Sequence, residues 1–200
     1  MTVSEAVLSR RSVRAFRDRP VPTDVLERVL DKARWAPSGC NFQPWEATVL
    51  TGTPLRALQN KLAGAAPQEP VEYVITPPDI PQEYRDRLAQ MGARQYGARG
   101  IDREDAEMRA RAVADNVVSF GAPVLLLREE GLDSCPQEFM ALWARLIKEH
   151  IGVSDEAQIL FCGMAIGYRD EAAAVNNFER DRAPLSRQVR FIGFDEEGPQ

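Results

Sequence analysis

The chain has 200 residues, 44% of them hydrophobic and 28% charged, with a formal net charge of -5 and a sequence pI near 5.1. That length suits one domain with a real core, and the acidic balance argues against a nucleic-acid partner, because a duplex would repel the surface as a whole. Three cysteines (Cys40, Cys135, Cys162) with no CxxC pair, and a single histidine, leave little basis for a disulfide scaffold, a metal site or a histidine-based triad.

Met1 to Arg11 lacks the apolar run of a signal peptide. The apolar stretches Val124–Leu127 and Ile159–Tyr168 are far too short to span a bilayer. The expectation is a cytoplasmic protein with no membrane partner, whose chemistry depends on a bound cofactor. His150 reads as an exposed polar position near a helix end before Gly152.

In chain order, Thr2-x-x-Glu5 is a capping box opening a short helix through about Ser9. A second helix starts after Pro22-Thr23, with Val25, Leu26, Val29, Leu30 and Ala33 on one face, and ends near Ala36 because Pro37 follows. Trp45–Thr51 alternates and predicts a strand. Thr53-Pro54 then opens a helix to about Ala63. The stretch Ala66–Pro81 holds five prolines and predicts an excursion rather than core. Helices are expected at about 82–91 and 103–118, and a buried strand at 123–128. Pro136 is expected to open an amphipathic helix with Phe139, Met140, Trp143 and Ile147 on one face. Ile159–Tyr168 and Val189–Phe194 read as further strands. Interleaved helices and strands make the class α+β or α/β.

Three clusters place cations or small polar residues where folding does not require them. In Arg10-Arg11-Ser12-Val13-Arg14, an extended backbone would turn Arg10, Ser12 and Arg14 to one side, and arginine forks suit phosphate. In Pro37-Ser38-Gly39-Cys40-Asn41-Phe42-Gln43-Pro44-Trp45, prolines and short polar residues hold a backbone and present hydrogen-bonding groups, as binding the edge of a heteroaromatic ring requires. In Arg180-Asp181-Arg182-Ala183-Pro184-Leu185, two arginines flank an aspartate. Read alone, the first cluster fits a solvated basic helix end and the third fits surface ion pairs better than a ligand site. Cys40 reads as a small packed residue of its loop, and Cys162 as core.

Taken together, RRSVRAF, APSGCNFQPW, GLDSCPQ, CGMAIGY and RDRAPL resemble the FMN-dependent nitroreductase family from end to end. The likeness is greatest to a branch with a long proline-rich excursion and a segment such as Tyr96-Gly97-Ala98-Arg99-Gly100-Ile101. It implies a single α+β domain over residues 1–200, with a central, mostly antiparallel sheet flanked by helices. The excursion at about 66–100 would act as a lid, with Tyr73, Tyr84 and Tyr96 available to cover a ring.

The resemblance also implies roles. Arg10 and Ser12, with Arg11 beside them, would hold the FMN phosphate together with Arg180 and Arg182. Arg14 would approach the pyrimidine side of the flavin as an electrostatic stabiliser, with no side chain in a catalytic acid–base role. Pro37, Ser38, Gly39 and Asn41, with Gln43, would contact the FMN of the second subunit of a homodimer. Pro136, Gln137 and Glu138 would lie against the ring, and Asn116 would reach its pyrimidine edge. NADH or NADPH would be the co-substrate and a nitroaromatic or quinone the small-molecule acceptor, in a ping-pong sequence.

The pattern departs from the family between residues 128 and 131, where Glu129-Glu130 stand in place of a long dimer helix. A degenerate member that binds flavin or a partner with little turnover is therefore a second expectation, and a flavin-fragmenting or dehalogenating branch a third.

Overall fold

A computed structural model describes residues 2–123, 132–153 and 158–192 of the chain. All but Pro123 of the strand expected at 123–128, the shortened connection at 128–131, and the last two residues of the strand expected at 189–194 lie outside that set.

The chain opens with helix α1 (Val3–Ser9), closed by the expected capping box. The Glu5 amide donates to Thr2 Oγ1 at 3.2 Å, and the Thr2 amide donates to Glu5 Oε2 at 2.6 Å, so two amides that a helix start leaves free are satisfied. Helix α2 (Thr23–Ala33) buries Leu26 and Val29, and α3 (Gly52–Ala63) buries Leu55, Leu58 and Leu62. Helix α4 (Gln82–Ala98) runs a further seven residues past the expected stop. Gly92 and Gly97 each weaken it by only about 1 kcal/mol, and the helix ends at Gly100, which takes the left-handed φ of 67° suited to that position. Helix α5 (Ala106–Ala114) is shorter than expected at both ends. Asp105 caps its start by accepting from the Met108 amide at 2.9 Å, and Asn116 Nδ2 closes its end on the Val113 carbonyl at 2.9 Å.

Strands β1 (Asp133–Gln137) and β2 (Gly163–Gly167) pair antiparallel, with Asp133 opposite Gly167 and Gln137 opposite Gly163. Pro136 therefore sits inside a strand, not at the head of a helix. A proline biases the residue before it toward extended backbone, and an edge position tolerates the missing N–H. Helical backbone begins only with the 3-10 segment Glu138–Trp143 and becomes α6 at Ala144–Ile151. The expected apolar face survives the shift: Met140, Trp143 and Ile147 pack with Leu58 and Leu62 of α3, and Phe139 lies against them.

Two other strand expectations fail. Residues 45–51 form no ladder, and a strand needs one; Trp45 is 41% exposed and Val49 36%. The 159–168 strand shrinks to β2. The backbone groups of residues 160 and 161 are taken by the excursion instead: the Leu160 amide donates to Glu72 Oε2 at 2.8 Å, and the Tyr73 hydroxyl donates to the Phe161 carbonyl. Residues 189–192 are exposed and form no strand, and the Val189 amide turns back to the Leu185 carbonyl at 2.8 Å.

The chain between α1 and α2 lies along the little sheet. The Val13 amide donates to the Ser134 carbonyl at 3.1 Å, and Arg17 to the Tyr168 carbonyl at 2.8 Å, while Phe16 bridges antiparallel to Arg169. Beneath it, Phe16 packs with Phe120, Ala122, Cys135 and Ala165. Space there is tight: a Cβ on Gly167 would stand 2.8 Å from Pro123 Cδ and 3.2 Å from the Phe16 ring. No described helix is long and apolar enough to cross a membrane.

Candidate functional site

Val13 is fully buried, and that fixes how its neighbours point. With Val13 inward, Arg10, Ser12 and Arg14 turn to the other side and line one wall of a cavity of about 140 Å³, with Arg11 beside them. The opposite wall is the 175–182 segment, including Arg180 and Arg182. Two arginine clusters that the sequence separates by some 170 positions thus face each other.

The joint is made by backbone carbonyls. Arg180 donates to the carbonyls of Arg10 and, at 2.6 Å, Leu8. Arg11 Nη1 donates to the Phe178 carbonyl at 3.1 Å. Asn176, a buried polar residue, organises the turn: its Oδ1 accepts from the Arg14 amide at 2.8 Å, and its Nδ2 donates to the Ala15 and Asp170 carbonyls at 2.9 Å each. The Asn176 pairing was not foreseen, although Asn176-Asn177 after an apolar run is a turn signal.

The cavity is overcharged. Burial, and then the cations of Arg11, Arg182 and Arg10, hold the Arg180 pKa below its ordinary value. Among the described residues the Arg10 guanidinium has neither a hydrogen bond nor an ion pair, and Arg14 Nη1 reaches only the Ser12 carbonyl, at 3.4 Å. Crowded cations with unused donors fit a phosphate dianion, which would relieve the repulsion and take the free N–H groups. The acids in the wall are Glu179 and Asp181, and helix α4 adds Met91 and Arg94. Nothing in the local sequence around Arg94 points to the cavity.

The remaining predicted residues stand elsewhere. Pro37, Gly39, Asn41 and Gln43 are exposed and Ser38 half-buried, on a loop outside the cavity. The loop is tightly wound: Cys40, Asn41 and Gln43 have φ of 50°, 57° and 49°, and Ser38 Oγ accepts from the Gln43 amide at 2.9 Å. Left-handed backbone at three non-glycine residues is strained, and such strain gathers at ligand sites. Cys40 is exposed, not packed as expected. Phe42 is 78% exposed, and with Trp35 and Trp45 it leaves an apolar surface open to solvent.

Pro136 and Glu138 are exposed while Gln137 is buried, as strand alternation dictates. Gln137 Nε2 donates to the Asn116 carbonyl at 2.9 Å, which joins two predicted residues, and its Oε1 has no partner among the described residues. Glu138 faces a different group: its charge, after burial, raises the pKa of Tyr73 and of Cys162. Tyr73 is half-buried and stacks on the exposed Phe161 at 6.0 Å between ring centroids, while Tyr84 is 48% exposed. Cys162 is half-buried, ahead of β2 rather than in its core. His150 stands at the end of α6 just before Gly152, as expected, but is half-buried, with Nε2 3.1 Å from the Pro54 carbonyl at the start of α3.

The fold is that of a small α+β protein whose two arginine walls have the chemistry to fit a phosphorylated ligand. The model of the nitroreductase family matches residues 7–168, and the chain belongs to that family. It is 36% identical to a 4-nitrobenzoate reductase of Pseudomonas putida, over 94% of this chain and 95% of the relative. That alignment spans 217 positions against a chain of 200, so the relative has residues this chain lacks. Among solved structures, the FMN and NADPH-dependent nitroreductase NfnB from sphigopyxis sp. strain HMH is 35% identical with a TM-score of 0.88, covering 97% of this chain and 100% of that one. NfnB from Mycobacterium smegmatis, solved in complex with NADPH, is 27% identical with a TM-score of 0.83, covering 94% of this chain and 97% of that one.

Proposed function

We propose that the chain works as a cytoplasmic homodimer that passes electrons from NADH or NADPH, through FMN, to a nitroaromatic or quinone in a ping-pong sequence. The coarser part, an FMN-dependent NAD(P)H oxidoreductase, follows from family membership and from relatives that use FMN and NADPH. The observation that carries the reading for this chain is the cavity in which Arg10, Arg11, Arg180 and Arg182 crowd together with unused donors.

FMN, when bound, accepts hydride from the nicotinamide and delivers electrons to the acceptor, chemistry that no side chain here supplies. The chain's part is to bind, orient and set charge. Arg10, Ser12 and Arg182 would hold the phosphate, with Arg180 bracing the two walls through its carbonyl contacts. Arg14, its backbone held by Asn176 and its guanidinium loosely placed, is free to turn toward the pyrimidine side. A cation brought there stabilises charge arriving at that edge.

The 37–43 loop would complete the site of a second copy. Its exposure, its strain and the apolar surface of Trp35, Phe42 and Trp45 support that role. We place the residues missing relative to the Pseudomonas putida protein between 128 and 131, which leaves this surface to hold the two copies together. Three unpaired thiols suit a reducing compartment.

The first measurement is the visible spectrum of the purified protein, before and after anaerobic NADPH. A yellow protein that bleaches, and regains colour when a nitroaromatic or quinone is added, is the expected result. A colourless protein that takes up no added FMN would sink the reading.

A further inference from the structure

Arg94 belongs to α4, in the excursion, and it is the one cation of the cavity wall that comes from outside the two arginine clusters. Its Nη2 lies 3.2 Å from Oδ2 of Asp181, the carboxylate between Arg180 and Arg182. The two side chains are 40% and 46% exposed, and an ion pair so open to water adds little to folding. Its effect on the cavity is larger. Left alone, the Asp181 carboxylate would repel an arriving dianion; paired with Arg94, it is neutralised at the cavity edge. Met91, one helical turn before Arg94, lines the same wall, so the contact is a face of α4 against the cavity rather than one stray side chain.

This inference rests on the flavin reading above. We propose that Arg94 is a binding residue for the terminal phosphate of FMN: Asp181 holds it at the rim through Nη2, and its remaining N–H donors take the phosphate when the cofactor enters, with the pair kept. The phosphate then fastens α4, and with it the excursion, over the bound flavin. Flavin without the phosphate has nothing to offer Arg94, so the residue separates FMN from riboflavin. The other end of the excursion is already secured without ligand, by the Glu72–Lys148 pair at 2.5 Å and by Tyr73 on Phe161. The far end of α4 is tied as well, by the Arg99–Asp115 pair at 2.6 Å, so the cofactor adds its hold in the span between, at Arg94.

The test is a fluorescence titration of the flavin-free protein with FMN and, separately, with riboflavin, for wild type, Arg94→Ala, Arg94→Lys and Arg87→Ala. Arg87 is on the same helix, pairs with Glu83 at 3.2 Å and does not line the cavity. Loss of a charge-assisted bond to phosphate predicts that Arg94→Ala weakens FMN by about tenfold or more and moves riboflavin by less than about twofold. Arg94→Lys recovers part of the loss, and Arg87→Ala changes neither. Proteolysis supplies a second readout: FMN protects residues 82–98 in wild type, riboflavin does not, and Arg94→Ala loses the FMN protection. Equal weakening for both flavins would mean that Arg94 only supports folding, and no weakening would mean that it does not touch the phosphate; either overturns the inference alone. A wild-type protein that binds neither flavin removes the flavin reading as well.

Discussion

Six of the predicted site residues line the arginine cavity, and five stand on the 37–43 loop, yet their surroundings differ sharply. The cavity is assembled from ends of the chain some 170 positions apart, tied by arginine donors to backbone carbonyls and by a buried asparagine. The loop is held mainly by its own turn, the Ser38–Gln43 bond, with its polar and apolar groups facing water. The cavity gathers cations around a hollow; the loop presents its side chains outward. One chain can bring its two arginine clusters together by itself because arginines reach across a gap to carbonyls. A loop made of short side chains has no such reach and folds back on itself.

That comparison can be broken at its strongest point by Arg180→Ala. Removing the brace and one of the crowded cations is expected to weaken FMN by about 10–100-fold, the range of a lost charge-assisted hydrogen bond or two. A fluorescence titration that finds wild-type affinity would detach the cavity from the cofactor.

The loop side is sharpened by Phe42→Asp. Phe42 is 78% exposed in the single chain, so the folded monomer should tolerate the change. A charge forced into an interface is costly, and the dimer is expected to weaken by at least about tenfold in sedimentation equilibrium, with flavin affinity falling beside it. Unchanged assembly would mean that the loop meets no second copy.

The smallest effect concerns the anchored start of the excursion. Burial pushes the Glu72 carboxyl up, but the Lys148 ammonium and the Leu160 amide outweigh it and leave its pKa below the ordinary value. A carboxylate with a depressed folded pKa adds stability that is present above its unfolded pKa and is lost as the pH falls through the folded one. Glu72→Gln should therefore lower Tm at neutral pH by about 3 °C, for about 1 kcal/mol in a chain of this size. The difference from wild type should shrink to nothing in acid. Parallel Tm curves down to low pH would remove Glu72 as the anchor.

Local signals in the sequence were enough for most helices. The Thr2–Glu5 box, the apolar face of α2, the extent of α3 and the 139–147 face are set by neighbours within a few positions, and the structure keeps them. The arginine motifs were legible too, but only jointly. Each alone reads as solvated charge, since nothing local tells Arg180 that Leu8 and Arg10 will be beside it.

Strands were the weak point, for a physical reason. Alternation at 45–51 and apolar continuity at 159–162 state a preference for extended backbone, whereas a strand exists only where another segment brings donors and acceptors. At 160 and 161 those donors and acceptors came from Glu72 and Tyr73 instead. The same holds for Arg94: its place in the cavity depends on the docking of α4, seventeen residues long and continued past two glycines, which no local pattern encodes. Composition and motif thus determined the family, most of the helices and the clustering of arginines in two separate motifs. Which backbone groups meet, which arginines share a cavity, and which loop is left facing water were decided by packing between distant parts of the chain.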